Sequence, residues 1–257
     1  MVAHRAVVRL SALAIGAIVG GAQVSSQASA AEIVVYSTTA VEEALHDIIP
    51  IFEGASGHKI NMTFIAGPEL VAKVRSDITG DLVIGPSDFT DPLLKDGKLV
   101  AGSRVDFARS GIGIAVRKGA PKPDVGTPQA LKAALLAAKS VSCSKGVSGL
   151  HFIGVLERLG IAEEVKAKLV SPQGRERVGT IVARGDAEIG VQQFSELLPI
   201  DGIDILGPLP GDLQRFMVYG ASALPGSKEP AAAQEFINFL RSEPATTIIS
   251  RKGMAPA

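Results

Sequence analysis

The chain has no tryptophan, two tyrosines and a single cysteine, and its 26 basic residues are matched by 26 acidic ones. Each shortage excludes something. With so few large aromatic rings there is little material for an aromatic-lined sugar groove. One cysteine forbids an internal disulfide, so the fold must be stable without that cross-link. Balanced charge with no basic stripe argues against a nucleic-acid partner, because phosphate recognition requires clustered Lys and Arg. There is no CxxC, and His46, His58 and His151 are scattered rather than paired at ligand spacing. Nothing in the residues points to a metal or a cofactor.

What is present begins with a leader. "MVAHRAVVRL" carries Arg5 and Arg9 and no acid, "LSALAIGAIVGGA" is a short apolar core, and "ASAAE" supplies small residues at cleavage spacing. Residues 1–30 are expected to be a secretory signal peptide, cut after Ala30 or Ala31. No later apolar run is long enough for a membrane helix, so the mature chain is expected to be soluble and periplasmic.

Strand and helix patterns then alternate. "EIVVY" (32–36) is a β-branched run of the kind buried on both faces of a parallel sheet. A helix pattern follows, with Val41, Leu45, Ile48 and Ile49 on one face and Gly54 and Gly57 at its exit. "KINMTFIAG" reads as a strand, "PELVAKVRSDIT" as a helix opened by Pro68, and "GDLVIGPS" as a third strand. "FARSGIGIAVRKGAP" (107–121) reads as one extended stretch interrupted by Gly111 and Gly113. Beyond it lie a helix capped by Thr127, a strand–loop–helix unit over 140–160, and a segment over 171–197 that reads as helix, turn at Gly185 and short strand. "RFMVYGASAL" returns as a strand, and two helices end the chain.

This order predicts an α/β protein of two lobes joined by two crossings, each lobe a doubly wound sheet flanked by helices. The expected division is 32–110 with 212–257 for one lobe and 111–211 for the other. Ligands of open α/β sheets bind beyond the carboxyl ends of strands and between domains. Three strand-to-helix junctions are therefore placed at one cleft: Ser37, Thr38 and Thr39; Ala66 and Gly67; and the 144–149 loop with Ser144, Lys145 and Ser148. Each alone is also an ordinary helix cap. Together they offer hydroxyls and unpaired helix-start N–H groups to a small anion.

"IVVYSTTAVEEALHDIIPIFEGASGHKI", "GDLVIGPSD", "VSGLHFIGVLERLG", "VARGDAEIGV" and "FINFLRSEPATTIISRKG" resemble the periplasmic molybdate-binding protein family, the type II solute-binding proteins that feed ABC importers. The resemblance covers the mature chain. It implies a monomer with no cofactor, an importer permease as partner, and an oxyanion held by serine hydroxyls and backbone N–H groups. At the ligand positions the chain departs from that pattern. Ala40 stands where the family has its first serine, Ala66 and Gly67 replace its serine cluster, and Ser148 is compatible with its backbone contact. The next contact falls near Arg175 in "QGRERVG", on what reads as a helix, and Gln193 in "GVQQF" replaces a tyrosine, with Gln192 beside it.

A guanidinium suits a planar carboxylate better than a tetrahedral dianion held by neutral dipoles. The expected ligand is therefore an organic di- or tricarboxylate gripped by Arg175, with molybdate or tungstate as the family alternative. A receptor needs only that cleft and a hinge. An enzyme on the same frame remains open, since a bacterial aconitate isomerase is similar to this family. Its candidate bases here are Lys145, His151 and Glu69, each at or just inside a helix start. Their ordinary readings are a solvated loop cation, a first-turn packing residue and a favourable helix-start charge. A serine hydrolase lacks support, because "GVSG" does not have the GxSxG spacing.

Overall fold

A computed structural model describes residues 1–2 and 30–257 of the chain, so the body of the expected signal peptide lies outside the described residues. Within them, no helix is long and apolar enough to cross a membrane.

The first half builds one sheet by βα alternation. β1 (Glu32–Thr38) buries Ile33 and Val35 completely and pairs in parallel with β2 (Lys59–Ile65) on one side and β3 (Leu82–Pro86) on the other. α1 (Glu42–Ser56) follows β1 after a 3-10 turn and buries Ala44, Leu45, Ile48 and Phe52, the spacing of one helical face. α2 (Gly67–Arg75) follows β2, and α3 (Ser87–Lys95) follows β3. β4 (Val105–Ser110) ends the first pass.

The chain then leaves for a second sheet. The stretch over 107–121 that reads as one extended segment is two strands in different sheets, β4 and β5 (Ile112–Arg117), divided at Gly111. α4 (Pro128–Ala137) opens as expected, with Thr127 Oγ1 accepting the Ala130 N–H at 3.1 Å. After it come β6 (Val141–Cys143), α5 (Val147–Leu159), α6 (Ala162–Lys166), β7 (Leu169–Val170), α7 (Val178–Arg184), β8 (Ile189–Gln193), α8 (Phe194–Leu197) and β9 (Ile203–Pro208). β10 (Met217–Ala223) returns antiparallel between β3 and β4, and α9 (Pro230–Phe239), α10 (Glu243–Arg251) and β11 (Ala255–Pro256) close the chain. The result is a six-stranded sheet in the order β11-β4-β10-β3-β1-β2 and a five-stranded sheet in the order β7-β6-β8-β5-β9. This is the two-lobed α/β architecture.

The two crossings lie side by side and are stitched together. Gln214, on the return crossing, accepts the Ile112 N–H at 3.1 Å and donates its own amide to the Ile112 carbonyl at 3.0 Å. The start of β5 therefore has both backbone groups satisfied by a side chain from the other linker.

In the first lobe a buried carboxylate does similar work. Asp81, 3% exposed, accepts from the Val34 N–H at 2.8 Å, the Ser227 hydroxyl at 2.7 Å and the N–H groups of Lys228 and Glu229 at 2.9 and 3.1 Å. Burial alone pushes its pKa up. The Ser227 hydroxyl and the three N–H donors together outweigh that and hold it below the ordinary carboxylate value. The stability Asp81 supplies is thus present above its unfolded-state pKa and lost as pH falls through the depressed one. Asp81→Ala is expected to lower unfolding stability in urea at pH 7 by about 2–4 kcal/mol, because buried donors lose an ionised acceptor. A change within 0.5 kcal/mol, roughly the noise of such measurements, would show the network to be dispensable.

Candidate functional site

The strand ends of both sheets face one another across a cleft lined by residues of both lobes. Thr38, Thr39, Ala40, Ala66 and Gly67 line it from the first lobe, and Ser144, Lys145, Ser148, Arg175, Gln192 and Gln193 from the second. The three junctions picked out in the sequence thus meet in one place.

Each wall has a local reason. Neither Ala66 nor Gly146 supplies a capping side chain, and the starts of α2 and α5, the positive ends of their helix dipoles, line the cleft. In the 144–149 loop the Ser144 hydroxyl lies 2.8 Å from that of Ser148 and accepts the Gly149 N–H at 3.1 Å. The loop closes so tightly that a Cβ on Gly149 would sit 1.7 Å from the Ser144 carbonyl oxygen. Thr38 is 5% exposed and its Oγ1 has no hydrogen-bond partner. A buried hydroxyl at a cleft wall without a partner is costly unless something else satisfies it.

Four expectations need correction. Ser37 is fully buried inside β1, where its hydroxyl donates to the Thr38 carbonyl at 3.1 Å, and it does not line the cleft. His151 lies on the flank of α5 with Nε2 2.8 Å from the Leu213 carbonyl, so it ties a helix to the return crossing. Glu69 points to the outer face of α2, mostly exposed and 3.9 Å from Lys73 one turn on. Arg175 is not on a helix: Gly174 adopts φ 53°, a left-handed turn that delays the start of α7 to Val178. Of the candidate bases, only Lys145 lies at the cleft.

Arg175 does line the cleft, but it is already engaged. Its Nη2 donates to Glu42 Oε1 at 2.8 Å across the gap between lobes, with 55% of the side chain exposed. Arg177 is the better buried cation, 19% exposed, 2.7 Å from Glu43 Oε1 and 3.7 Å from Glu42 Oε2. Lys145, exposed at the loop tip, has no ion pair among the described residues. The two glutamines at the cleft each have a partner within the protein. Gln192 Oε1 accepts the Val178 N–H at 2.9 Å and so caps α7, while Gln193 Oε1 accepts the Tyr219 hydroxyl at 2.5 Å.

The group the sequence did not reveal is Glu196. It follows β8 on the short α8, is 7% exposed, and lines the same cleft. Thr39 from the opposite lobe donates to its Oε1 at 3.3 Å. Burial pushes its pKa from 4.5 up to about 7, and Glu42 pushes the same way, while Arg177, the Thr39 hydroxyl and the Gln192 amide oppose them. Burial, followed by Glu196 itself, lifts the Tyr219 phenol well above its ordinary value. In "QQFSELL" a glutamate reads as an exposed helix acid; its neighbours include Thr39, 157 residues earlier, and Arg177. Cys143 is buried too, its thiol pushed up to about 11 by desolvation, which removes it as a nucleophile. Among the described residues no group of three or more His, Cys, Asp or Glu could hold a metal ion.

Three comparisons bear on this geometry. Residues 33–255 match the family model described as bacterial extracellular solute-binding protein. An aconitate isomerase from a Pseudomonas species is 31% identical over 96% of this chain and 97% of its own length. The molybdate-binding protein ModA of Azotobacter vinelandii is 28% identical over 91% of this chain and 94% of its own. Among solved structures, the Azotobacter vinelandii periplasmic molybdate-binding protein superposes with a TM-score of 0.73 at 18% identity, covering 87% of this chain and 98% of that one.

The raised carboxyl makes a prediction about stability. Below pH 4.5 Glu196 is protonated whether the chain is folded or not. Between 4.5 and about 7 the unfolded chain releases a proton that the folded chain keeps, so stability falls across that window and stays lower above it. Glu196→Gln, a neutral side chain of the same shape, is expected to match wild type near pH 4.5 and to exceed it above pH 7 by roughly 3 kcal/mol or less. Parallel melting curves that keep one constant offset at every pH would contradict a buried, titrating Glu196.

Proposed function

The chain belongs to the bacterial extracellular solute-binding protein family, and from that premise we propose that its cleft closes on a small organic di- or tricarboxylate and delivers it to an ABC-type importer in the periplasm. The observation that carries this reading is the set of three cations, Lys145, Arg175 and Arg177, on one wall of a cleft whose other wall holds Thr38, Thr39 and the start of α2. A tetrahedral dianion can be held by neutral dipoles alone. Several carboxylates at once call for cations, and a guanidinium presents its N–H groups in the plane of a carboxylate. Glu42 accepts from one Nη of Arg175, which leaves other N–H donors of that fork for a guest.

A second reading has its own support. The relative named aconitate isomerase and the buried Glu196 at the cleft wall both favour an isomerase that shifts the double bond of an unsaturated tricarboxylate. It shares its binding step with the receptor reading and differs in turnover.

A thermal-shift series with molybdate, tungstate, sulfate, tricarballylate and the two aconitate isomers tests the ligand class, because a ligand bound only by the folded state raises the melting point. Tricarballylate and aconitate are expected to raise it and molybdate is not. Lys145→Ala is expected to weaken the acids by about tenfold or more, the loss of a charge-assisted contact. Stabilisation by molybdate alone, untouched by Lys145→Ala, would transfer the cleft to a metal oxyanion.

A further inference from the structure

We propose that Glu196 is a catalytic residue, whose carboxylate takes the proton from the carbon lying between the alkene and a carboxylate of a bound unsaturated polycarboxylate and returns it to the far end of the allyl unit. This inference rests on the polycarboxylate reading of the cleft and adds a reaction to it.

The placement argues for it first. Glu196 is almost fully buried, yet it lines the space where a guest would lie, and Thr39 of the other lobe holds its Oε1. Ionised, the group repels the guest; kept out of water, it costs stability. Such a group in a cleft is a candidate for chemistry.

The surroundings fit a proton carrier. The Arg177 guanidinium, the Thr39 hydroxyl and the Gln192 amide favour its ionised form, whereas desolvation and Glu42 favour the neutral one. The balance leaves the carboxyl titrating near neutrality, where a general base passes protons in both directions with least loss. Tyr219 completes the set facing it, a phenol that stays protonated and donates to Gln193.

Elimination points the same way. His151 is bound to the Leu213 carbonyl, Glu69 lies on the outer face of α2, and Cys143 is a buried neutral thiol. Lys145 is a cation, better suited to stabilise negative charge than to accept a proton.

The step balances without any co-reactant. A C–H bond breaks, its proton goes to Glu196, and the electron pair spreads through the allyl unit into the adjoining carboxylate. Lys145 and Arg177 oppose the charge that develops there. The proton then forms a new C–H bond at the other end of the allyl unit, the double bond moves one place, and Glu196 is again a carboxylate. Nothing is oxidised or reduced.

The full-length mature protein, incubated with trans-aconitate in D2O, is expected to form cis-aconitate, with deuterium entering the methylene group wherever the proton held by Glu196 exchanges with solvent before its return, both read by proton NMR. Glu196→Gln is expected to lose this by about 100-fold or more, the usual worth of a general base. It should keep the thermal stabilisation given by tricarballylate, a saturated acid with no allylic proton, which also shows that the variant folds. Glu196→Asp is expected to retain partial exchange. The wild-type kcat/KM should rise with pH through about 7 as the carboxylate form appears. Exchange by Glu196→Gln at the wild-type rate overturns the proposal. So does a wild type that is stabilised by tricarballylate but neither exchanges nor forms the isomer, and in that case the receptor reading stands. If neither acid stabilises the wild type, the polycarboxylate reading falls and this proposal with it.

Discussion

Two lobes that meet face to face must dispose of the charge at their seam, and most of what is distinctive here follows from how that is done. Arg175 and Arg177 leave the second lobe and Glu42 and Glu43 leave the first, meeting as partly buried pairs. In low dielectric such pairs interact more strongly than they would in water, but they also lose hydration, so neither their presence nor their number is a simple gain in stability. What the pairing does is to spend most of the cleft's positive charge internally. Lys145 is left without an acid partner among the described residues, and burial raises the Glu196 carboxyl to about 7 in spite of Arg177. The same seam therefore holds an unpaired lysine among the described residues and a buried carboxyl whose pKa is raised.

That seam works only because the lobes are joined narrowly. Both linkers pass the same point, where Gln214 from one holds both backbone groups of Ile112 in the other. Thr39 and Glu196 meet across the cleft beyond this junction. Burial of Glu196 and the cross-lobe ion pairs therefore fall at one seam. A ligand that bridges the walls and the carboxyl that touches it would be desolvated together.

Much of this was legible in the sequence. The parallel strands announce themselves through β-branched runs such as "EIVVY", and the break at Gly111 sits where the chain changes sheets. The three junctions were visible as hydroxyl- or glycine-rich stops between a strand and a helix. The losses have physical causes. Ser37 is separated from Thr38 by one step of strand alternation, so one hydroxyl is buried in the sheet while the next reaches the rim. α3 has a weak sequence signal because "SDFTDPLLK" carries Pro92 and two aspartates, a pattern that resembles a loop until packing decides. The turn at Gly174 cannot be told from a helix start in "QGRERVG". Glu196 had no local signal at all, since its environment is made by residues far away in the chain.

The central claim is that lobe contact withdraws Glu196 from water within reach of a guest. The most direct measurement is the titration of its side-chain carboxyl carbon by NMR in the free protein, assigned by comparison with Glu196→Gln. A midpoint near 7 is expected from the balance of burial against Arg177, Thr39 and Gln192. A midpoint at the ordinary 4.5 would mean that the group is solvated, and it would remove both the seam's electrostatic logic and the chemistry built on it.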